Sequence, residues 1–502
     1  MSFTRRDLLR SGLAAGGALA VPGAFAAPAL ARVRPSITHG VQSGDVTDGR
    51  ALVWTRADRP SRVYVEYATR PDFRGSRTVR GPWLTPGSDL TGQVRLSGLP
   101  SGADVHYRVT LDDGRAKSAP ELGSFRTPPR RHEAVSFVWG GDLAGQGWGI
   151  NEEFGGYRIF AAMAATKPDF FLCSGDWVYS DGPLTATVAL PDGTTWKNLM
   201  TDEKAKVAET LAEYRGQFRY NLLDAHLRAF NAKVPIVYQW DDHEVRNNWY
   251  PGQILDDDRY TEKRVDVLAA RASRAAHEYL PITPGRTLYR KLSYGPDLDV
   301  FVLDMRSYKN PNTPNLETSG PGLLGPAQTA WLKRELTASR ATWKVIANDL
   351  PLGLIVPDGS VDQEGVGNVD SGLPKGRERE IADVLRHAHR HRVKGLVFLT
   401  ADVHYAAAHH YSPNRASFKD FAPFWEFVAG PLNAGTFGPN TLDGTFGPRQ
   451  EFVKVGPRAN ASPAEGAQFF GHAHLDPRTK TLTVKLVDLT GKTLYTKSLT
   501  PA

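Results

Sequence analysis

Cysteine is almost absent from this chain of 502 residues. Cys173 is the single cysteine, so an internal disulfide is impossible. It lies within the apolar run 169–173. Because free cysteine is among the most buried residue types, we interpret Cys173 as a buried strand residue, with a metal-ligand role as the alternative.

Long apolar runs and blocks of like charge are also scarce. Beyond the N-terminus, no stretch of the sequence is long and apolar enough to span a bilayer. No dense cluster of Lys or Arg accompanies the net charge of +7. We therefore expect no nucleic-acid partner; the charge indicates either a mildly basic surface that attracts anionic substrates or ordinary surface charge.

The N-terminus carries a targeting pattern. Arg5 and Arg6 precede an Ala/Gly/Leu stretch, and residues 29–31 (Ala-Leu-Ala) fit a cleavage site. This pattern resembles a twin-arginine signal, which directs export of folded proteins. We predict a signal peptide over residues 1–31, the twin-arginine export machinery as a partner, and a periplasmic or secreted mature protein. A retained membrane anchor is the alternative, but Pro22 and Pro28 interrupt the apolar part.

The remaining chain divides into two kinds of pattern. Residues 36–127 alternate apolar and polar positions between turn-forming residues, which predicts a small all-β domain over 35–128 that resembles a fibronectin type III-like sandwich. Apolar strands separated by helical stretches predict a layered α/β domain over 134–502. Helices are predicted over 203–227, 262–279, 327–338 and 376–391. The Gly/Pro-rich loops at 310–326, 350–376 and 430–472 are long enough to cover a site.

Potential metal ligands follow nearly every strand of the predicted α/β domain. They are Asp142, Asp176 with Tyr179, Asp242 within the run Asp241–Glu244, Asn348, and Asp402 with His404. Any one of them could be a helix cap, since Asp and Asn often begin helices. Five such positions in order, each after an apolar run, favour one shared metal site at the carboxyl edge of a sheet.

The order of these ligands resembles the calcineurin-like metallophosphoesterase series, with three departures. Asp242 stands where that series usually has Asn, Asn348 where it has His, and Asp402 where it has the first His of the last motif. Together with the motifs at 240–244 (Trp-Asp-Asp-His-Glu) and 402–405 (Asp-Val-His-Tyr), they resemble the alkaline phosphatase D (PhoD-like) family. The resemblance covers nearly all of the mature chain. It implies a phosphoric ester hydrolase with a layered β-sandwich flanked by helices, acting on small phosphate esters.

The resemblance also implies a ferric ion and a calcium ion. The first would be held by a set similar to that of purple acid phosphatases, namely Asp142, Asp176, Tyr179 and His404. Many family members have Cys where Asp142 stands, so Mn or Zn are alternatives at that position. The second would be held by Asp176 as a bridge, Asp242, Asn348 and Asp402, and such oxygen-only ligands favour Ca, Mg or Mn over Zn or Cu. Asn348 could instead be a turn residue.

Two further residues are candidates for catalysis by a metal-bridging hydroxide that attacks phosphorus. His243 resembles the histidine that protonates the leaving oxygen or contacts phosphate; the alternative is a partner of Glu244 or Asp402. Arg306 lies in a D-x-R segment that recurs in the family and could bind phosphate bidentately, or could form a surface salt bridge.

Three functions remain open from the sequence. The first is an exported phosphatase for phosphate monoesters and diesters. The second is a dedicated phosphodiesterase on the same scaffold, including phospholipase D-like cleavage. The third is a secreted binding protein, which would have no need of the strand-end acids.

Overall fold

The computed structural model describes residues 34–283, 287–320 and 322–501. The predicted signal peptide, 1–31, lies outside these residues. From Pro35 onwards, the described residues form one compact unit. None of the helices in these ranges is long and apolar enough to cross a membrane.

The first part of the chain is all-β, as predicted for 36–127. Its strands are β1 (Ile37–Thr47), β2 (Arg50–Ala57), β3 (Ser61–Ala68), β4 (Arg77–Leu84), β5 (Thr91–Ser97), β6 (Asp104–Asp112) and β7 (Glu121–Arg126). Alternate residues of β3 and β6, such as Val63 and Val105, are fully buried. They pack against the strands β1, β2 and β5, so alternation along each strand produces the core of a small sandwich.

The middle of the chain alternates strands and helices. Its elements are β8 (Val135–Gly140), α1 (Ile159–Ala165), β9 (Phe170–Ser174), β10 (Thr187–Ala189), β11 (Thr195–Lys197), α2 (Leu211–Asn221), α3 (Ala225–Asn231), β12 (Ile236–Gln239) and α4 (Val265–Tyr279). The single helix predicted over 203–227 is wrong. Thr210 forms a capping box with Glu213 at the start of α2, and Asp224 caps α3, so this stretch contains two helix starts.

The last part of the chain adds further strands and two helices. They are β13 (Arg290–Ser293), β14 (Leu298–Val302), α5 (Gly325–Ala338), β15 (Trp343–Ala347), β16 (Pro357–Asp358), β17 (Asp362–Gln363), α6 (Glu378–Arg390), β18 (Leu396–Thr400), β19 (Ala406–Tyr411), β20 (Phe424–Val428), β21 (Pro448–Lys454), β22 (Phe469–Leu475), β23 (Leu482–Asp488) and β24 (Thr493–Leu499). The helices predicted over 262–279, 327–338 and 376–391 are confirmed, with ends shifted by at most three residues.

Two large sheets form the centre of the fold. One runs in the order β24-β23-β22-β8-β9-β12-β1-β2-β5 and the other in the order β13-β14-β15-β18-β20-β19-β21. They face each other over a core that includes Phe137, Trp139, Val345 and Leu399. Helices α1–α4 pack on the outer face of the first sheet, and α5 and α6 on the outer face of the second. The predicted layered α/β class is confirmed.

Strand direction brings the predicted ligands to one edge of each sheet. β8, β9 and β12 are parallel, and so are β14, β15, β18 and β20. Their carboxyl ends therefore share an edge, where sites of α/β sheets form. β1 pairs in parallel with β12 through Gly44 and Ile236, so the first sheet continues into the N-terminal strands. The division into domains 35–128 and 134–502 stays a prediction from the sequence.

Candidate metal centre

The loops that follow the parallel strands hold several predicted ligands in left-handed backbone conformations. The φ angles are 67° at Asp142, 49° at Asp176, 66° at Asp402 and 58° at His404. Such conformations are unfavourable for residues other than glycine and are concentrated at functional sites, where the surrounding fold maintains them. The surrounding fold therefore holds the backbone at these four residues in the conformation that fixes the direction of each side chain.

A first cluster joins the ends of β8, β9 and β18. Ligand atoms of Asp142, Asp176 and His404 all lie within 4.8 Å of one another. The Tyr179 hydroxyl is 2.8 Å from Nε2 of His404, which is itself 3.7 Å from Oδ1 of Asp142. Nδ1 of His404 hydrogen bonds to the carbonyl of Gly435 at 2.5 Å, which leaves Nε2 to face the cluster. Burial lowers the pKa of His404 to about 4, so its imidazole is neutral, as a metal ligand requires.

A second cluster joins the ends of β9 and β12. Ligand atoms of Asp176, Asp242 and His243 also lie within 4.8 Å of one another. Asp242 accepts a hydrogen bond from the backbone of Asn248 at 2.5 Å, and Asp176 accepts one from the backbone of His243 at 3.0 Å. Asp176 belongs to both clusters, so its carboxylate connects the two groups of candidate ligands.

Asn348 and Asp402 approach from the second sheet, at the ends of β15 and β18. Asn348 is fully buried; its amide nitrogen donates to the carbonyl of Leu350 at 2.8 Å, which leaves the amide oxygen without a partner. Asp402 lines the same cavity as Asp176 and Asp242. Among the described residues, Asp402 stands outside both three-residue clusters.

The donor atoms at this edge fit metal ions. Both carboxylate oxygens of Asp142, one of Asp402 and the amide oxygen of Asn348 are buried without a hydrogen-bond partner among the described residues. Buried acceptors of this kind are costly unless a cation or a donor meets them. Burial and the charges of neighbouring acids raise the pKa values of Asp142, Asp176 and Asp402. A side chain at Gly430 would collide with a carboxylate oxygen of Asp142, so glycine keeps room beside that ligand.

Glu244 fixes the two loops of the first sheet against each other. Its carboxylate accepts hydrogen bonds from the backbone of Trp177 at 2.8 Å and of Asp241 at 2.9 Å. A third bond comes from the backbone of Asp176 at 3.3 Å. Glu244 therefore positions Asp176 and the turn that carries Asp242, with both of its oxygens occupied by backbone donors.

His243 is held by an acid that the sequence reasoning missed. Its Nδ1 lies 2.7 Å from a carboxylate oxygen of Asp181, and neither Glu244 nor Asp402 is its partner. The imidazole stacks on the Tyr179 ring, with centroids 4.2 Å apart. Burial lowers the pKa of His243, but the charges of Asp181 and Asp242 outweigh this effect and raise the pKa to about 9. The sequence feature that could have indicated Asp181 is its position five residues after Asp176, in the same loop.

Arg306 lies deeper than the sequence predicted. The residue is fully buried, so a surface salt bridge is wrong. Its Nε is 2.7 Å from Asp241 and 3.2 Å from Asp349, and its terminal nitrogens pair with Asp241 and Glu364. These carboxylates occupy the guanidinium, which stands behind the cavity wall, so the structure shows no bidentate face directed at a phosphate.

A cavity of about 670 Å³ opens onto the two clusters. Its polar wall contains Asp176, Asp242, His243, Asp402 and His404. The loops predicted at 350–376 and 430–472 also line the cavity, through the apolar residues 355–357, Phe437 and Pro439 and the polar residues Asn440 and Thr441. These loops therefore contribute to the site, as their length suggested.

Comparison with known proteins identifies the sequence family of this chain. Residues 137–486 match the sequence family described as PhoD-like phosphatase, and residues 24–129 match its N-terminal domain. Alkaline phosphatase D of Bacillus subtilis (strain 168) is 28% identical over 437 residues, which cover 80% of this chain and 70% of that protein.

Solved structures show the same fold. A structure of PhoD superposes with a TM-score of 0.70 at 22% identity, covering 92% of this chain and 89% of the other. The purple acid phosphatase PPD1 from yellow lupin seeds gives a TM-score of 0.55 at 10% identity, covering 93% of this chain and 74% of that one. With the family match extending over most of the sequence, the chain belongs to the PhoD-like phosphatase family and is a phosphatase of the hydrolase class.

Proposed function

We propose that this protein hydrolyses phosphate monoesters and diesters at a centre of two metal ions. The observation that carries the proposal is Asp176, whose carboxylate lies in both ligand clusters. The proposed ligands of the first ion are Asp142, Asp176, Tyr179 and His404. The proposed ligands of the second ion are Asp176, Asp242, Asn348 and Asp402.

The chemistry of the donors supports a ferric ion in the first position and calcium in the second. Carboxylates and a phenol are hard ligands, and the second set contains oxygen donors alone. Mn or Zn remain alternatives in the first position, where Asp142 replaces a cysteine common in the family. When bound, two such ions clamp a phosphoryl group and lower the pKa of a water molecule that serves as the nucleophile.

His243 is the proposed catalytic side chain. Because Nδ1 bonds to Asp181, Nε2 is left for the cavity that His243 lines. A histidine held in this way can donate a proton to the leaving oxygen or a hydrogen bond to the phosphate. Arg306 is instead a positioning residue, because it holds Asp241 beside the proposed ligand Asp242.

The apolar wall of the cavity supports organic esters as substrates. Ile355, Pro357 and Phe437 line the same cavity as the ligands; the Phe437 ring lies 5.0 Å from the imidazole of His404, and Phe437 is 39% exposed. A wall of this kind binds the carbon part of an ester while the polar wall binds the phosphoryl group. The same wall would serve a dedicated phosphodiesterase, including a phospholipase D-like enzyme, which is the competing proposal.

A kinetic comparison separates these two activities. We expect the metal-loaded protein to hydrolyse both p-nitrophenyl phosphate and bis(p-nitrophenyl) phosphate, measured as kcat/KM under the same conditions. Turnover of the diester alone would replace the leading proposal with the phosphodiesterase. Turnover of neither substrate, with both ions present by plasma mass spectrometry, would contradict both.

The role of His243 is tested by varying the leaving group. If His243 protonates the leaving oxygen, His243→Gln should lower kcat far more for an alkyl phosphate than for p-nitrophenyl phosphate, because nitrophenolate leaves without protonation. An equal loss for both substrates would indicate phosphate binding alone.

We further propose that the protein is exported to the periplasm or secreted through the twin-arginine machinery. The support is the pattern around Arg5 and Arg6. Replacing both arginines with lysine should retain the precursor in the cytoplasm, as fractionation would show. Normal export of that variant would contradict the proposal.

A further inference from the structure

A second cavity adjoins the proposed metal centre. It has a volume of about 560 Å³ and shares Gln146, His243 and Asn247 with the first cavity. Two arginines, Arg246 and Arg259, also line it. Asp181 is the one acid among the described residues of this lining, so an extended substrate bound at the metal centre could continue past His243 into a compartment with two arginines and one carboxylate.

Arg246 is held close to the metal centre by its backbone. The turn after β12 places its N–H 2.8 Å from the carbonyl of Asp242, a proposed metal ligand. The side chain is half-buried. Its Nε is shielded from solvent and has no hydrogen-bond partner among the described residues. A desolvated guanidinium donor without an acceptor is unfavourable, and an oxyanion would satisfy it with charge-assisted hydrogen bonds.

The acids around Arg246 already have other partners. Asp181 accepts hydrogen bonds from His243 at 2.7 Å and from the backbone of Asn247 at 2.7 Å. Asp257 pairs with Arg259 at 2.8 Å. Within the described part of the chain, Arg246 itself forms no ion pair or side-chain hydrogen bond. Asp181 and Asp257 lie near enough for the charge of Arg246 to lower their pKa values, but neither carboxylate contacts the guanidinium, so among the described residues of this cavity the hydrogen-bond donor without an acceptor is that of Arg246.

We propose that Arg246 forms an anion subsite that selects phosphate esters carrying a second oxyanion, such as another phosphate or a carboxylate. This inference rests on the proposed function, since it assigns the first phosphoryl group to the metal centre. Arg259 lies in the same wall, but its bonds to Asp257 leave it less available. Arg246 is thus the specificity-determining residue of the pair.

The test uses inhibitors that differ by one anionic group. Inhibition of p-nitrophenyl phosphate hydrolysis is measured with α,ω-alkylbisphosphonates of increasing length and with alkylphosphonates of matching length. A parallel series of ω-carboxyalkylphosphonates distinguishes a second phosphonate from a carboxylate. In the wild-type protein, the best inhibitor with two anionic groups should bind roughly tenfold or more tightly than the alkylphosphonate of matching length, as expected for one charge-assisted contact.

Arg246→Gln should reduce this ratio to about one. Arg246→Lys, which keeps the charge but loses the forked geometry, should give an intermediate ratio. The matched control is Arg74→Gln, at an exposed arginine in the turn between β3 and β4, which removes the same charge and should leave the ratio at its wild-type value. Thermal melting confirms that each variant is folded.

Two results would overturn the subsite. One is a wild-type ratio near one at every inhibitor length, and the other is a wild-type ratio retained in Arg246→Gln. Failure of the proposed function has a different signature, because p-nitrophenyl phosphate would then not be hydrolysed at all. In that case calorimetric titration of the same inhibitors into the metal-loaded protein still measures the ratio of their affinities. That ratio shows whether the anion subsite exists.

Discussion

Replacement of Arg306 by glutamine should destabilise the protein strongly. The guanidinium has no solvent exposure and pairs with Asp241, Asp349 and Glu364, which are themselves buried. Removing one partner of a buried ionic network leaves uncompensated charge and costs about 3–5 kcal/mol. Unfolding entropy for a cooperative unit of roughly 470 residues is about 1 kcal/mol per kelvin. We therefore expect Tm to fall by about 3–5 °C.

The loss of stability in Arg306→Gln should depend on pH. Burial raises the pKa of Asp241 to about 7 even though Arg306 opposes the increase, so loss of Arg306 should raise it further. A buried acid with a raised pKa stabilises the folded state less as pH increases, because the unfolded acid ionises first. The difference in Tm between variant and wild type should thus be larger at pH 8 than at pH 5.

Calorimetric melting of Arg306→Gln and of the exposed control Arg74→Gln provides the assay. An Arg306→Gln protein that melts within a degree of the control at pH 8 would refute the buried-network reasoning. The measurement also decides between the two roles considered for this arginine. A residue that contacts phosphate would weaken competitive inhibition by inorganic phosphate without lowering Tm.

The remaining predictions concern metals and a second buried acid. Asp176→Asn should abolish hydrolysis and lower the content of both metals, whereas Asp402→Asn should lower mainly the second; equal metal content in Asp176→Asn and wild type would exclude the bridge. Removal of metals by a chelator should lower Tm, because the carboxylates at the strand ends then repel one another. An unchanged Tm would show that metal binding does not stabilise the fold. Burial, with the charge of Asp443, raises the pKa of Glu378 from 4.5 to about 9, so stability should fall between those pH values. At pH 8 the free energy of unfolding of Glu378→Gln should therefore exceed that of wild type by about 1–3 kcal/mol, and its Tm should be higher. A lower Tm would show that the carboxylate is stabilising.

Much of the fold follows from local sequence patterns. Parallel strands buried on both faces are continuous apolar runs, and the strands at 135–140, 170–174 and 343–347 have this form. The side chain after such a run lies at the carboxyl edge by necessity, which is why Asp142 and Asp176 were predictable. Helix ends were harder where a cap lies inside a stretch that reads as one continuous helix, as at Asp224 between Leu223 and Ala225.

The contacts around the candidate site were less predictable. Arg306 meets Asp241 across 65 residues of sequence and Glu364 across 58, through loops without periodicity. The Asp181–His243 pair likewise joins loops 62 residues apart. A charged residue in such a loop has the same local pattern whether it faces solvent or a buried partner, so its depth depends on tertiary packing alone.

Charge balance connects these buried contacts with the proposed metals. Arg306 and Lys309 lie against Asp241, Asp349 and Glu364, and His243 lies against Asp181. Among the described residues, the proposed ligands Asp142, Asp176, Asp242 and Asp402 form no ion pair with Arg or Lys, and neither does Glu244, whose carboxylate accepts backbone hydrogen bonds instead. With an ionised Tyr179, the charge of the four proposed aspartate ligands and the phenolate would equal that of one trivalent and one divalent cation. Buried charge of one sign is stable only when it is matched, so the protein's own cations leave a deficit that the proposed ferric and calcium ions would fill. The same balance explains why Arg306 is turned inward: a guanidinium facing the cavity would leave Asp241 and Asp349 without a cation and Glu364 with Lys309 alone.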